Sequence, residues 1–169
     1  MEAFVSLPVI HSEANRLKAK YQPHSKLEPH ITLIPPGRLM VSPEEAKRAF
    51  SLVRSLGILV LKKTKEIGEF RQGEGGVFFI ALEQSKQLEG LRASYIEELS
   101  STVISNENVR QKFNAHLTIA RYHTPEQRVE MQKQLSAERI PDEIEFYPAE
   151  MLTRQDKSED WQVILKGSI

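Results

Sequence analysis

A chain of 169 residues, 40% hydrophobic and 27% charged, is long enough to bury a core and too apolar to be disordered. Its 23 basic and 23 acidic residues give a formal net charge of +0, which argues against binding of long duplex nucleic acid. The absence of cysteine excludes disulfides, thiolate nucleophiles and cysteine-based zinc sites. With no signal-peptide pattern and no run near the roughly 18 apolar residues of a membrane span, we expect a cytoplasmic monomer.

The first half of the chain, approximately residues 1–70, is predicted to run strand, helix, strand, helix, strand. The expected elements are a strand at 3–9, a helix at 12–21, a strand at 30–34 stopped by Pro35, Pro36 and Gly37, a helix capped by Ser42, Pro43 and Glu45, and a strand beginning at 58–61. The Ser-Pro-x-Glu arrangement is the sequence signature of a capping box with proline in the first turn.

The second half, approximately residues 77–169, is predicted to repeat this order after a turn or loop in RQGEGG at 71–76. Its expected elements are a strand at 77–82, a helix at 85–100, a strand at 116–120, a helix capped by Thr124, Pro125 and Gln127, and two strands around 144–152 and 161–166. The predicted fold is a single α+β domain over 1–169. We expect two pseudo-symmetric halves of mainly antiparallel sheet, with outer helices around a central cleft.

The pattern H-x-T-x occurs once in each half, as His30 with Thr32 and as His116 with Thr118. Side chains of a strand alternate between its faces, so each His shares a face with its Thr while the aliphatic neighbours point to the core. Two imidazoles can act as general base and general acid, and two Thr hydroxyls can donate hydrogen bonds to phosphate oxygens. This set of groups suits displacement at phosphorus without a metal, and a 2′,3′-cyclic phosphate is the favoured substrate.

The two motifs, PHITL and AHLTIAR, resemble those of the 2H phosphoesterase superfamily, in the bacterial branch with 2′-5′ RNA ligases and cyclic phosphodiesterases, close to the YjcG-like group. The resemblance implies a bilobal fold, catalytic His30 and His116, and phosphate binding by Thr32, Thr118 and Arg121. It also implies that the protein needs neither metal nor cofactor, and acts on a nucleotide or RNA terminus bearing a cyclic phosphate.

Several questions stay open at this level. Pseudo-symmetry makes the two His nearly interchangeable, and our working hypothesis takes His116 as base and His30 as acid. Strict alternation puts Arg121 on the face opposite His116, so its role in binding phosphate requires the strand to end or twist near Ala120, and the alternative is a surface salt bridge. Relatives commonly carry an aromatic residue where this chain has Pro35, which changes one wall of the site. The alternative function is a non-catalytic module that binds phosphate or an RNA end.

Other candidates have a structural explanation that is preferred to a functional one. RQGEGG lacks the following G-K-[ST] of a phosphate-binding loop. The remaining histidines form no metal-ligand pair such as H-E-x-x-H, so no metal site is predicted. The histidines concerned are His11, His24 and His123. We interpret Lys62, Lys63 and Lys65 as part of a solvated strand face, and Phe146, Tyr147 and Trp161 as core residues.

Overall fold

The computed structural model describes residues 1–10, 13–53, 56–100, 103–110 and 112–167, and of residues 65, 66, 108 and 110 the backbone alone. The strands are β1 (Glu2–Pro8), β2 (His30–Leu39), β3 (Leu59–Gln72), β4 (Gly75–Leu82), β5 (Ile104–Ser105), β6 (His116–Tyr122), β7 (Glu143–Phe146), β8 (Glu150–Arg154) and β9 (Gln162–Lys166). The helices are α1 (Glu13–Tyr21), α2 (Pro43–Leu52), α3 (Lys86–Leu99) and α4 (Pro125–Ser136), with a 3₁₀ turn at Glu107–Arg110.

The strands form two antiparallel sheets on either side of a central cleft. The first sheet has the order β5-β2-β1-β8-β9 and the second has the order β6-β4-β3-β7. Strand β3 comes early in the chain yet joins the second sheet, whereas β8 and β9 come late and join the first. The predicted α+β class, with mainly antiparallel sheets and outer helices, is confirmed. The predicted halves 1–70 and 77–169 do not correspond to one sheet each.

The helices cross between the sheets in the same way. Helix α1 precedes β2 in the chain but packs on β6, and α3 precedes β6 but packs on β2. Helix α2 packs beside α3, and α4 packs on β6 and β4. Each H-x-T strand is therefore backed by a helix from the other half of the chain. Burial of a leucine such as Leu17 or Leu91 in these interfaces contributes about 1.5–3 kcal/mol.

The predicted helix caps are confirmed. The Ser42 hydroxyl accepts a hydrogen bond from the Glu45 backbone N–H at 3.3 Å, and the Ser42 N–H donates to Glu45 Oε2 at 3.0 Å. The Thr124 hydroxyl accepts from the Gln127 N–H at 3.3 Å. The side chain of Gln127 differs from the prediction in one respect, because it accepts from the N–H of His123, one residue before the cap.

The predicted end of β2 at Pro35 and Pro36 is wrong, since the strand continues to Leu39. From the pair Val5↔Ile34 to the pair Ala3↔Gly37, the chain covers three residues in β2 but only two in β1, so the register is irregular here. Both prolines lie in this irregular stretch, and neither has a paired residue in β1 or β5. Their missing N–H groups therefore remove no ladder bond, which is why proline is tolerated here.

Two further boundaries differ from the prediction. Segment 71–76 is mostly strand, because β3 and β4 form a hairpin that turns only at Gly73 and Glu74, with Gly73 at a φ of 61°. The single strand expected around 144–152 is two strands, β7 and β8, in different sheets. Hydrophobic pattern locates such strands, but it does not say which sheet accepts them.

Candidate active site

His30 and Thr32 lie at the start of strand β2 and point away from the hydrophobic core, as the alternation predicted. Their neighbours Ile31 and Leu33 are fully buried, whereas His30 and Thr32 are each partly exposed. The Nδ1 atom of His30 lies 2.8 Å from the carbonyl oxygen of Glu28, two residues upstream. Because a carbonyl only accepts hydrogen bonds, Nδ1 carries the proton in the neutral ring, and Nε2 is left to exchange one with a ligand.

His116 and Thr118 repeat this arrangement at the start of β6. Leu117 and Ile119 are fully buried, and both motif residues are partly exposed. The Nδ1 atom of His116 lies 2.7 Å from the carbonyl oxygen of Asn114, again two residues upstream. The two imidazoles are thus held in the same tautomer by the same kind of hydrogen bond to a backbone carbonyl.

Tertiary structure brings the two motifs together. Strands β2 and β6 belong to different sheets, yet pairs of their Cα atoms lie within 8 Å of each other. The two rings also interact electrostatically, because positive charge on His116 lowers the pKa of His30. The convergence expected from pseudo-symmetry is therefore present in the structure.

A bulge in β6 decides the orientation of Arg121. Opposite β4, the register runs from Phe79↔Thr118 to Phe78↔Ala120, so Ile119 is an extra residue. Beyond this bulge, Arg121 is paired with Val77, which shares a strand face with Phe79 and so with Thr118. Arg121, whose side chain is exposed, therefore lies on the same face as the H-x-T pair, and the strand continues to Tyr122.

The same bulge occurs in β2, where the register runs from Ser6↔Thr32 to Val5↔Ile34 and Leu33 is the extra residue. Pro35 is thus the counterpart of Arg121, since each lies five residues after its motif His. One side of the cleft carries a cation at this position and the other carries a proline. The two halves of the site are therefore equivalent in backbone but not in charge.

An aromatic wall adjoins His116 that the sequence analysis did not find. The rings of Phe70 and Phe79 are stacked with centroids 4.2 Å apart, and each centroid lies 5.2 Å from that of His116. Residue 68 must be glycine for this, because a Cβ there would lie 2.4 Å from the Phe79 ring. Phe70 remains 43% exposed and borders an open pocket of about 620 Å³. The signal that could have found it is the β3–β4 hairpin, which pairs Phe70 with Val77.

The remaining candidates are exposed or ion-paired, or lie outside the described residues. Lys63 pairs with Asp142 at 3.3 Å, Lys62, His24 and His123 are exposed, and both His11 and the side chain of Lys65 lie outside the described residues. Within the described ranges, no group of three or more His, Asp or Glu side chains could hold a metal ion.

The aromatic group near the end of the chain is divided between core and cleft. Phe146 is fully buried, and Tyr147 is 43% exposed. The ring of Trp161 packs edge-on against Phe4 at 4.6 Å, and Phe4 in turn lies 5.5 Å from the ring of His30. The guanidinium of Arg154 covers Trp161 at 4.4 Å. Trp161 therefore supports the His30 side of the cleft through Phe4.

The environment of His30 strongly favours its neutral form. The pKa of His30 is lowered from its ordinary value of 6.5 to about 4, and burial is the largest cause. The hydrogen bond to Glu28 opposes this in part, and positive charge on Lys18 and on His116 adds to the lowering. An imidazole that is unprotonated at neutral pH is suited to accept a proton. This argues against the working hypothesis that took His30 as the acid.

The low pKa of His30 predicts a pH-dependent loss of stability. The unfolded chain binds this proton near pH 6.5 and the folded protein only near pH 4, so the stabilisation is complete above about 6.5 and is lost as the pH falls towards 4. Because the ring is partly exposed, we expect a loss on the order of 1–3 kcal/mol. Chemical denaturation of wild type and His30→Gln at pH 4.5 to 7 measures it, and equal slopes in the two proteins would contradict it.

Comparison with known proteins bears on the family and the fold. A family model of the 2′-5′ RNA ligase superfamily matches residues 7–157. Two structures of Kluyveromyces marxianus Usb1, one with uridine monophosphate, superpose with TM-scores of 0.59 and 0.58 at 9% sequence identity, covering 96% of this chain and 97% of that chain. A comparison with curated protein sequences finds no match.

The chain therefore belongs to the 2′-5′ RNA ligase superfamily, as the resemblance carried by PHITL and AHLTIAR implied. The likeness to Usb1, at such low identity, shows that the two-sheet fold is shared. No helix in the described part of the chain is long and apolar enough to span a membrane.

Proposed function

We propose that this protein is a metal-independent phosphoesterase that hydrolyses, or reversibly ligates, 2′,3′-cyclic phosphodiesters of RNA ends or nucleotide-derived small molecules. The observation that carries the proposal is the paired arrangement of His30 and His116. Each ring is anchored through Nδ1 to a backbone carbonyl, and each has a Thr on the same strand face. Two proton-transfer groups beside two hydroxyl donors can catalyse displacement at a phosphodiester without a metal.

In this proposal His30 is the general base and His116 the general acid. Nε2 of neutral His30 takes a proton from water while the water oxygen forms a bond to phosphorus. His116 starts as the imidazolium, with Nδ1–H on the Asn114 carbonyl, and its Nε2–H gives its proton to the departing ribose oxygen as the ring P–O bond breaks. The product is a nucleoside or RNA-end monophosphate, and proton exchange with solvent restores both rings. Each proton transfer typically contributes about 10²- to 10⁴-fold to the rate.

The phosphate is held by Thr32, Thr118 and Arg121. The two hydroxyls donate to the non-bridging oxygens from opposite sides of the cleft. Arg121 adds a positive charge on the His116 side, where the bulge in β6 directs it towards the same strand face as Thr118. If a ribose 5′-hydroxyl replaces water, the same groups catalyse ligation to a 2′-5′ linkage.

The exposed face of Phe70 provides a surface for a nucleobase beside the phosphate. We expect Phe70→Ala to raise KM for nucleoside 2′,3′-cyclic phosphates by about 5- to 100-fold, because one base–aromatic stack is worth about 1–3 kcal/mol. The value of kcat should change little. Steady-state kinetics measures both constants, with Phe70→Tyr as the variant that keeps the ring.

Ribose 2′,3′-cyclic phosphate, which has no base, provides the control for Phe70. Wild type and Phe70→Ala should turn it over with the same KM. A KM that rises equally for the baseless substrate would mean that Phe70 supports His116 rather than a base, and the stacking role would be abandoned.

Turnover of the four nucleoside 2′,3′-cyclic monophosphates, and of a short RNA with a 2′,3′-cyclic end, tests the proposal. The assay contains excess chelator, and chromatography identifies the product. Chelator-resistant conversion to a monophosphate is the expected result. Folded protein that binds these ligands without converting any of them would instead support the alternative of a binding module.

A further inference from the structure

Lys18 lies behind His30 and shares its backbone anchor. The Nζ atom of Lys18, on α1, donates to the carbonyl oxygen of Glu28 at 3.2 Å, and the same oxygen accepts the Nδ1–H of His30 at 2.8 Å. Lys18 is only 7% exposed, which is unusual for a lysine. One carbonyl therefore joins a buried ammonium to the imidazole of the site.

The second half of the chain has a basic residue at the equivalent position. Leu17-Lys18-Ala19-Lys20-Tyr21 on α1 corresponds to Leu91-Arg92-Ala93-Ser94-Tyr95 on α3, and in both the Leu and Tyr are buried. Arg92 donates to the carbonyl oxygens of Val109, in the segment before β6, and Leu33, the bulge residue of β2. Both crossing helices thus direct a cation at a backbone carbonyl in or beside the first motif, Glu28 for Lys18 and Leu33 for Arg92.

Packing alone does not account for a lysine at position 18. Burial lowers the pKa of Lys18 to about 8, so the side chain is still mainly charged at neutral pH and destabilises the fold by that desolvation. A methionine of similar length would fill the same space without this cost. The charge is compensated in part by Glu28, whose carboxylate raises the pKa of Lys18.

We infer that Lys18 is a positioning residue for His30, which orients the imidazole through the Glu28 carbonyl and, by its charge, keeps the ring in the neutral form that a general base needs. The carbonyl sets the tautomer by accepting the Nδ1–H, and the ammonium fixes the carbonyl. Repulsion between the ammonium and an imidazolium then disfavours protonation at Nε2 until an anionic phosphate is bound. The consequence for the rate rests on the proposed function, whereas the effect on His30 does not.

Other charged groups surround His30 and must be considered with Lys18. His116 on β6 acts in the same direction as Lys18, and the Glu28 side chain precedes β2. Glu150 on β8 is 9% exposed and lies across Ser6 from Thr32, with Lys166 of β9 paired beyond it. Burial raises the pKa of Glu150.

The test is an NMR titration of the His30 ring in wild type, Lys18→Met and Lys20→Met. Methionine keeps the length of Lys18 and removes both the charge and the donor, so we expect the midpoint of His30 to rise by about 0.5–1 pH unit. Lys20 is the matched control on the same helix, because its ammonium pairs with Glu138 at 2.5 Å on the other side of α1. Lys20→Met should leave the midpoint within about 0.2 unit.

Two further variants keep the inference testable. Lys18→Arg retains the charge and should leave the titration midpoint of His30 unchanged. Lys18→Gln retains a hydrogen-bond donor without the charge, so it separates the effect of the charge from that of the hydrogen bond even if Lys18→Met does not fold. An unchanged midpoint in Lys18→Gln and Lys18→Met, with the Nδ1–H tautomer intact, would overturn the inference.

The pH profile of kcat/KM separates this inference from the proposed function. If the role of Lys18 and the proposed function are both correct, the acid limb of kcat/KM in Lys18→Met moves to higher pH by the same amount as the NMR midpoint of His30. If the His30 midpoint moves in a protein that shows no turnover, the role of Lys18 is supported and the proposed phosphoesterase activity is contradicted. If the midpoint does not move in a protein with normal turnover, the role of Lys18 is contradicted and the proposed activity is supported.

Discussion

Replacement of His30 or of His116 by alanine is expected to lower kcat for a 2′,3′-cyclic nucleotide by about 10²- to 10⁴-fold, because each variant loses one proton transfer. The two losses should not multiply in the double variant, since the two groups act in the same transition state. Both rings are partly exposed and anchored by single carbonyls, so the variants should remain folded. Single-turnover assays with excess chelator measure the effect.

The two variants should lose opposite limbs of the pH profile of kcat/KM. Loss of the base, His30, should remove the acid limb of kcat/KM, and loss of the acid, His116, should remove the alkaline limb. His24→Ala is the matched control, because His24 is an exposed histidine outside both motifs. A profile in which His116→Ala instead loses the acid limb would restore the reverse assignment. Retention of more than about a tenth of the activity in either variant would rule out the two-histidine mechanism.

Thr32→Val and Thr118→Val form the second prediction, with an expected loss of about 10- to 100-fold in kcat/KM each. The estimate follows from the roughly 1.5–3 kcal/mol of a hydrogen bond to a charged group. Valine has nearly the shape of threonine and favours the strand, so the backbone should not change. Free energies of unfolding within about 0.5 kcal/mol of wild type would confirm that only binding is affected.

Thr32→Ser and Thr118→Ser serve as the controls because they retain the hydroxyl. Both should keep most of the activity if hydrogen bonding is the role of these residues. If the valine variants keep the activity of wild type, hydrogen bonding by the two hydroxyls is not required. In that case Arg121 becomes the principal phosphate ligand, and Arg121→Met should show the larger loss.

Much of the site could be predicted because it depends on local backbone geometry. Alternation along β2 and β6 placed His30 beside Thr32 and His116 beside Thr118, and the buried neighbours Ile31 and Leu117 agree with it. The capping residues Ser42 and Thr124 likewise marked where α2 and α4 begin. These features depend on residues within about four positions of each other, so a single sequence contains the information.

Arg121 shows where the local rule fails. Strict alternation placed it opposite His116, and one extra residue in β6 reversed its direction. A bulge forms because the register of β6 is set by its pairing with β4, about forty residues earlier in the chain. Pairing also decides the outcome at Pro35 and Pro36. These prolines predict the end of a strand, but β2 continues through them because they lie in a stretch that is not paired with β1.

The sequence by itself determined the motifs, the face on which each His and Thr lies, the helix caps and the α+β class. Only the tertiary structure decided that α1 and α3 cross to the opposite sheets, that Phe70 stands beside His116 and that Lys18 lies behind His30. The protonation state of His30 belongs to this second group. Desolvation and charge depend on which atoms surround a ring, and those atoms come from segments far apart in the chain.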